Sequence, residues 1–411
     1  MSASMNKIKH IVTNIDQQAK HYENLQDEAS RKALIAEAQS LIATLELPRE
    51  YVQRTVFAEP ARNTAAQLAI DLELFEGLVA AGEEGRNSAE LAKPGDADPA
   101  LLFEARILKH LAAMNVVEEI DADVYRGTAL STALTVPKFR DGIPFGLDAT
   151  GRVFLDIPQY LAENRYRNPV GVSQGPFQYT HKTEREYFEW SIHENPKNGA
   201  AFKNYIRGYR EGLPSWTRPD FYPAQAELAN SLQKNDAILL VDVGGGFGQD
   251  LQDFYANNPS FHHASILQDR PAILSSIAPD SLHPSISTMP HDFFTPQPVR
   301  GARAYHLHSI LHNWDDAHCR TILGHLRDAM TPGYSKMLIF ENVVPDRAAH
   351  WQMTRLDWLM MATCAALERT ERQWRELLGS VGLVVRRIWS VDETTESLIE
   401  VVVEGDEEER M

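Results

Sequence analysis

Three imidazoles crowd into the stretch YHLHSILHNWDD, Tyr305 to Asp316: His306, His308 and His312. An unperturbed imidazole titrates near neutral pH, so each is a candidate general base. His308 and His312 also show the H-x3-H spacing found in zinc sites. No cysteine or third ligand stands beside them, however. As residues i and i+2 of a strand, His306 and His308 point to the same side. No metal is expected.

A second chemical stretch lies upstream. LLVDVGGGFGQDLQDF, Leu239 to Phe254, reads as a buried strand, a glycine turn and a helix start. Gly244, Gly246 and Gly248 let the backbone approach a ligand, and the helix N-terminus offers free N–H groups. The spacing is G-x-G-x-G rather than the dinucleotide G-x-G-x-x-G. Asp242, on the strand just before, would repel a pyrophosphate but suits the ammonium of a methionyl tail. Asp269 closes the next strand in ILQDRPAIL, where it can accept both ribose hydroxyls. In HDFF, Asp292 and Phe293 follow the third strand and offer adenine a hydrogen bond and a ring contact. The set fits S-adenosylmethionine better than NAD.

These residues need a scaffold, and the C-terminal half supplies one. Apolar runs AILLVDV, HASILQD, SISTMPHDF, ARAYHLH and KMLIFENV alternate with helix-like stretches, which predicts a doubly wound, mostly parallel sheet. The last two runs, LVVRRIWS and SLIEVVVEG, are joined only by VDETTE, too short for a crossover helix. They should form an antiparallel hairpin.

The N-terminal third reads as helical. Ile8, Ile11 and Ile15, then Leu34, Ala38, Leu41, Ile42 and Leu45, recur at three- and four-residue spacing, and Pro48 should end that stretch. A second helical group starts near NTAAQLAIDLELFEGLVAAG and stops at its glycine. Two short helices, capped by Asn87 or Ser88 and by Asp98, precede a small hairpin made of NVVEEI and DVYRGT. That order is a winged-helix pattern. In a regulator it would read DNA, but the second helix, Pro99 to Met114, carries only Arg106, Lys109 and His110 as basic groups. Packing or dimerisation is the preferred role. Between Pro137 and Pro223, proline, glycine and aromatic residues mark a helical bridge with irregular loops, a common pocket lining.

Bulk properties narrow the class. A formal charge of −17 argues against nucleic acid, which requires clustered Lys and Arg. No apolar run reaches the length of a membrane span, and the first residues lack a secretory signal. Two cysteines, Cys319 and Cys364, give no disulfide framework and point to the cytoplasm. The acidic tail EGDEEER is expected to fray.

With both chemical stretches in hand, the C-terminal part resembles the plant- and fungal-type S-adenosylmethionine-dependent O-methyltransferases. LVDVGGGFGQ, ILQDRPAIL, HDFFTPQPV, SILHNWDDAHCRTIL, ENVVPD and ERTERQWRELL occur in that family's order and spacing. The resemblance implies an α/β fold, a Rossmann-like methyltransferase sheet behind an N-terminal winged-helix domain. It implies three segments: a helical and winged-helix dimerisation segment over 1–135, a helical bridge lining the substrate pocket over 136–225, and the cofactor-binding methyltransferase segment over 226–411. It places the cofactor against Gly244, Gly245, Gly246, Asp269, Asp292 and Phe293. It makes His312 the catalytic base, flanked by Glu341 and Glu368, and implies a homodimer formed through the N-terminal domain.

Two positions depart from the family. His308 stands where Lys or Arg usually contacts the cofactor, and Asn313 replaces an Asp beside the base, in reach of substrate. The helix WQMTRLDWLMMATC offers Met360 and Met361 to a flat aromatic acceptor, since thioethers pack well on rings. Phe177 and Tyr179 are further pocket candidates.

The expected reaction is methyl transfer to a hydroxyl of an aromatic or polyketide-type secondary metabolite, assisted by His312. A phenol has a pKa of about 10 and an unperturbed His about 6.5, so removing the proton during attack is feasible where full prior ionisation is uphill. The alternative on the same scaffold is a pericyclase that keeps the cofactor unreacted. A winged-helix regulator is more remote.

Overall fold

The period-two and continuous apolar runs fold as strands in the computed structural model, which describes residues 2–103, 106–229, 232, 238–278, 280–392 and 394–405. The acidic tail beyond residue 405 lies outside the described residues. The chain divides into two units, Met1–Val136 and Pro137–Met411.

The first unit begins with α1 (Ser2–Leu25) and α2 (Glu28–Leu45), packed on each other, then α3 (Glu59–Asp71) and α4 (Leu74–Ala81). The first stretch stops as expected before Pro48: α2 ends at Leu45, and Glu46 and Leu47 are extended. Pro48 itself sits at the start of a further helix, Pro48–Gln53, where its missing N–H costs nothing. The second helical group is two helices, split where Glu73 turns into the left-handed region at φ 53°. Asn87 caps α5 (Ser88–Ala92) by accepting from the Glu90 amide, and Asp98 accepts from the Ala100 amide. The single helix expected from Pro99 to Met114 is instead α6 (Pro99–Phe103) and α7 (Ile107–Ala113). Arg106, just before α7, has φ −103° and ψ −104°, outside the helical region. The wing carries one more strand than expected: β1 (Arg86–Asn87) pairs with β3 (Val124–Gly127), which pairs with β2 (Val117–Asp121).

The second unit opens with helices, among them α8 (Arg152–Glu163), α9 (Tyr187–His193) and α10 (Pro196–Tyr209). The sheet follows: β4 (Leu240–Val243), α11 (Gln249–Asn257), β5 (Ser265–Asp269), β6 (Ile286–Pro290), β7 (Ala304–His308), α12 (Asp316–Ala329) and β8 (Lys336–Glu341). A short β9 (Val343–Val344), α13 (Trp351–Cys364), β10 (Arg369–Thr370) and α14 (Glu371–Gly379) lead to the closing hairpin, β11 (Leu383–Trp389) and β12 (Ser397–Val403). Strand order is β11-β12-β8-β7-β4-β5-β6, parallel except for the two antiparallel pairs that β12 makes.

Both faces of this sheet are covered, which explains the unbroken apolar runs. Val241, Tyr305, Leu307 and Ile339 pack on one side against Cys319, Ile322, Leu323, Trp374 and Leu377. Their strand neighbours Leu240, Ala304, Leu338 and Phe340 pack on the other with Leu251, Phe254, Trp216 and Tyr222. Where the parallel strands end, the polar residues begin. β4 ends beside Gly244, β5 at Asp269, β7 at His308 and β8 at Glu341. Candidate site residues from distant stretches therefore meet at one edge, as ligand sites do in open α/β sheets.

Candidate active site

His312 lies on a 3-10 turn, Leu311–Asn313, directly after β7. That turn is gripped from both ends of its backbone. Oε1 of Glu341 accepts from the amides of Ile310 at 2.9 Å and Leu311 at 2.8 Å. Arg369, fully buried, donates through Nη1 to the Leu311 carbonyl and through Nη2 to the Trp314 carbonyl. A 3-10 turn alone leaves such groups unpaired, so these two side chains fix its position.

The imidazole itself is set by Glu368, whose Oε1 stands 2.8 Å from Nδ1, while Oε2 of Glu341 is 3.7 Å from the same nitrogen. Glu368 is in turn held by its own amide, which donates to Asp357. Among the described residues Nε2 of His312 has no protein hydrogen-bond partner. Burial disfavours the imidazolium, but Glu341 and Glu368 outweigh it and hold the His312 pKa up at about 9. Burial pushes the Glu341 carboxyl up, against the pull of His312.

These three side chains also bring potential ligand atoms within 4.8 Å of one another. Carboxylates from elsewhere in the chain thus join His312, whereas His308, its partner in the H-x3-H spacing, meets Asp250 and Glu396 instead. The 2.8 Å contact has the length of a charge-assisted hydrogen bond, so a proton on Nδ1 satisfies it.

His308 has a different surrounding. Its Nδ1 is 2.8 Å from Asp250 Oδ2 and its Nε2 is 3.2 Å from Glu396 Oε2. Against burial, Asp250 and Glu396 raise its pKa to about 10. Both nitrogens are spent on carboxylates, which leaves this imidazole none to offer a cofactor in the manner of the longer Lys or Arg. Glu396 also accepts from the Ser309 hydroxyl at 2.7 Å, bracing a non-glycine residue at φ 52°. Asn313 donates to the Ser309 carbonyl, and its Oδ1 faces the Cys364 thiol at 3.8 Å. His306 is wholly buried under Trp216 and meets Asp242 Oδ1 at 2.8 Å.

The glycine loop has the shape of a ligand cradle. Gly244 adopts φ +73°, and a Cβ there would lie 2.7 Å from Ile310 and 3.6 Å from Phe293. A Cβ on Gly245 would fall 2.1 Å from Asp242 Oδ2, a buried oxygen without a hydrogen-bond partner among the described residues. Above Gly246 there is open space. Asp269 reaches back to this loop, its Oδ2 accepting from the Gly246 amide at 2.8 Å. Burial raises the Asp269 carboxyl, against that amide and the amide of Arg270. Asp292 is exposed and accepts from the Phe294 amide, while Phe293 is half-buried beside Trp314. An orphaned carboxylate oxygen under the loop, a ribose-type acid at its side and open room above it fit S-adenosylmethionine.

The substrate candidates separate. α13 lies against the His312 turn, with Met360 buried and Met361 packed on the aromatic cluster around Phe145 and Trp190. Phe177 is enclosed by His181, Tyr187 and Trp190 with no exposed face, so it is core rather than lining. Tyr179 turns its hydroxyl to Glu163 at the surface. Sequence reasoning misses Asp250, Glu396 and Arg369. Glu396 sits in the acidic-looking loop DETTES, and nothing local distinguishes it from a solvated charge.

Residues 227–384 match the O-methyltransferase domain family. The chain is 38% identical to O-methyltransferase mpaG' of Penicillium brevicompactum, over 95% of this chain and 97% of that one. It is 35% identical to O-methyltransferase mfmE of Annulohypoxylon moriforme, over 92% of each. Among solved structures, LepI in complex with SAM shares 27% identity at a TM-score of 0.86, covering 97% of this chain and all of that one. A further structure is described as a pericyclic reaction enzyme, with 27% identity, a TM-score of 0.85 and the same coverage. With its terminal hairpin, glycine cradle and carboxylate-flanked histidine, this chain belongs to the S-adenosylmethionine-dependent O-methyltransferase family.

Proposed function

We propose that His312 is the general base for methylation of a hydroxyl on an aromatic or polyketide-type small molecule. The observation that carries this reading is the 2.8 Å contact from Glu368 to Nδ1 of His312, which leaves Nε2 without a protein partner. A carboxylate on Nδ1 fixes the tautomer with its lone pair on Nε2 and stabilises the imidazolium once the proton arrives. The bound cofactor supplies an electrophilic methyl group on a sulfonium. Everything else falls to the chain: Asp242, Gly244, Gly245, Gly246, Asp269, Asp292 and Phe293 hold the cofactor, and His312 takes the acceptor proton as the oxygen attacks. Raising the imidazole to about 9 narrows its gap to a phenol at about 10 from several units to about one. That makes proton transfer nearly balanced, the condition in which general-base help is most effective.

His308 and Asn313 act on the segment that leads into the turn, through Glu396 and Ser309. Met360 and Met361 offer the acceptor an apolar wall. The N-terminal unit pairs two copies of the chain, a role supported by exposed apolar side chains including Ile42, Val52, Val56 and Phe57. A cytoplasmic location accords with two buried, unpaired cysteines. No helix among the described residues is long and apolar enough to cross a membrane.

The pericyclase reading has a specific observation behind it, the 27% identity and TM-score of 0.85 to a pericyclic reaction enzyme. Incubation with methyl-labelled cofactor and a panel of phenols separates the two. Label in the product with release of S-adenosylhomocysteine is expected. Substrate consumption with the cofactor left intact would replace methyl transfer with the pericyclic reaction.

A further inference from the structure

On α13, one turn before the methionines, Arg355 has an unusual setting. The residue is half-buried, and its guanidinium lies 5.5 Å from the ring centre of Tyr209, at the end of α10. It makes no ion pair and no hydrogen bond with any described residue. Acidic partners are not scarce in a chain with 57 Asp and Glu against 40 Lys and Arg. Asp357, two residues on, is already engaged with the amide of Glu368. The Tyr209 hydroxyl likewise has no hydrogen-bond partner among the described residues.

The surroundings place this pair beside the chemistry. Tyr209 feels the charges of Glu368 and Glu396 as well as that of Arg355. Glu368 is the carboxylate on His312, and α13 itself packs against the His312 turn. A cation and a phenol hydroxyl, neither with a hydrogen-bond partner among the described residues, therefore converge near the base from the helical side. A half-exposed guanidinium with no partner among the described residues keeps its N–H donors free for an incoming acceptor. Its planar fork matches a carboxylate, and the ring face of Tyr209 holds the plane in place.

We infer that Arg355, seated on Tyr209, binds a carboxylate carried by the acceptor, so that the substrates are hydroxylated aromatic acids rather than neutral phenols. The acid pairs with Arg355 through two N–H donors while its hydroxyl reaches His312. This inference rests on the methyl-transfer reading only in placing the acceptor hydroxyl at His312.

Calorimetric titration of the full chain with S-adenosylhomocysteine present tests it, using orsellinic acid and dihydrocaffeic acid, each against its methyl ester. The acids should bind on the order of tenfold or more tighter than the esters. Arg355→Gln should bring that ratio close to one, and Arg355→Lys should leave it intermediate, because a point charge keeps attraction but loses the fork. S-adenosylhomocysteine binding in the same titrations checks that each variant is folded. Equal binding of acid and ester by the unaltered protein, no binding of either acid, or an unchanged ratio in Arg355→Gln would each overturn the proposal. Acid preference retained without any methyl transfer would instead count against His312 as base, and leave the anchor standing.

Discussion

Oε1 of Glu368 stands 2.8 Å from Nδ1 of His312, and both side chains are buried. One hydrogen bond thus decides which nitrogen of the imidazole is available to an acceptor. Removing the ring altogether, in His312→Ala, should lower methyl transfer by about 10²–10⁴-fold while cofactor binding persists. Product release measured alongside cofactor titration checks both halves. Undiminished transfer would dismiss His312 as the base.

The same pair sets a pH dependence. His312 is raised in the folded chain from an ordinary 6.5 to about 9, so the neutral, proton-accepting form grows as pH rises towards that value. kcat/KM should therefore climb between about pH 7 and pH 9 before levelling. Stability runs the other way: the part contributed by this raised group is complete below about 6.5 and is lost as pH passes through about 9. Glu368→Gln takes away one of the charges that lift the imidazole. Its rising limb should move to lower pH, with a plateau about tenfold or more below that of the parent. An unmoved limb would show that another group titrates.

Glu341 carries a different burden, since its Oε1 accepts from the backbone amides of Ile310, Leu311 and, at 3.4 Å, His312. Glu341→Ala should lower unfolding free energy by about 1–3 kcal/mol for each amide left without a partner, offset in part by no longer burying a carboxylate. Glu341→Gln keeps an acceptor oxygen and should cost less. Urea unfolding of the two variants gives the comparison, and equal losses would contradict the role assigned to the amide contacts.

At Gly246 the backbone sits at φ +60° and an added Cβ would meet nothing within 4 Å. Gly246→Ala should therefore cost only about 1–2 kcal/mol of backbone strain. If the open space above it receives the cofactor, that one methyl group will weaken cofactor binding far more than it weakens the fold. Thermal unfolding with and without S-adenosylhomocysteine reads both, and an undiminished ligand-induced rise in Tm would move the cofactor elsewhere.

The sheet, its closing hairpin and the glycine loop are legible in the sequence because each has a local cause: apolar runs of strand length, a six-residue connection and glycines between strand and helix. Glu341 and Glu368 are legible only through the family motif, because nothing near either residue reveals that both approach His312. Glu396 and Asp250 are not legible at all. Their burial follows from strand order, which carries the loop before β12 to the end of β7. His308 is the instructive case: an expected cofactor contact becomes one member of a carboxylate-bound cluster once its two neighbours fold in. Phe177 shows the opposite error, since a ring in a loop-rich bridge looks like lining until His181, Tyr187 and Trp190 close around it.

The double grip on the 3-10 turn has an evolutionary reading. Glu341 and Arg369 hold its amides and carbonyls, and Glu368 aims the ring. Among the described residues, the one contribution to that support from α10 or α13 is Asp357, which accepts from the Glu368 amide. A lineage can therefore trade one acceptor for another by redecorating the rest of those two helices, one substitution at a time, without ever retuning its base.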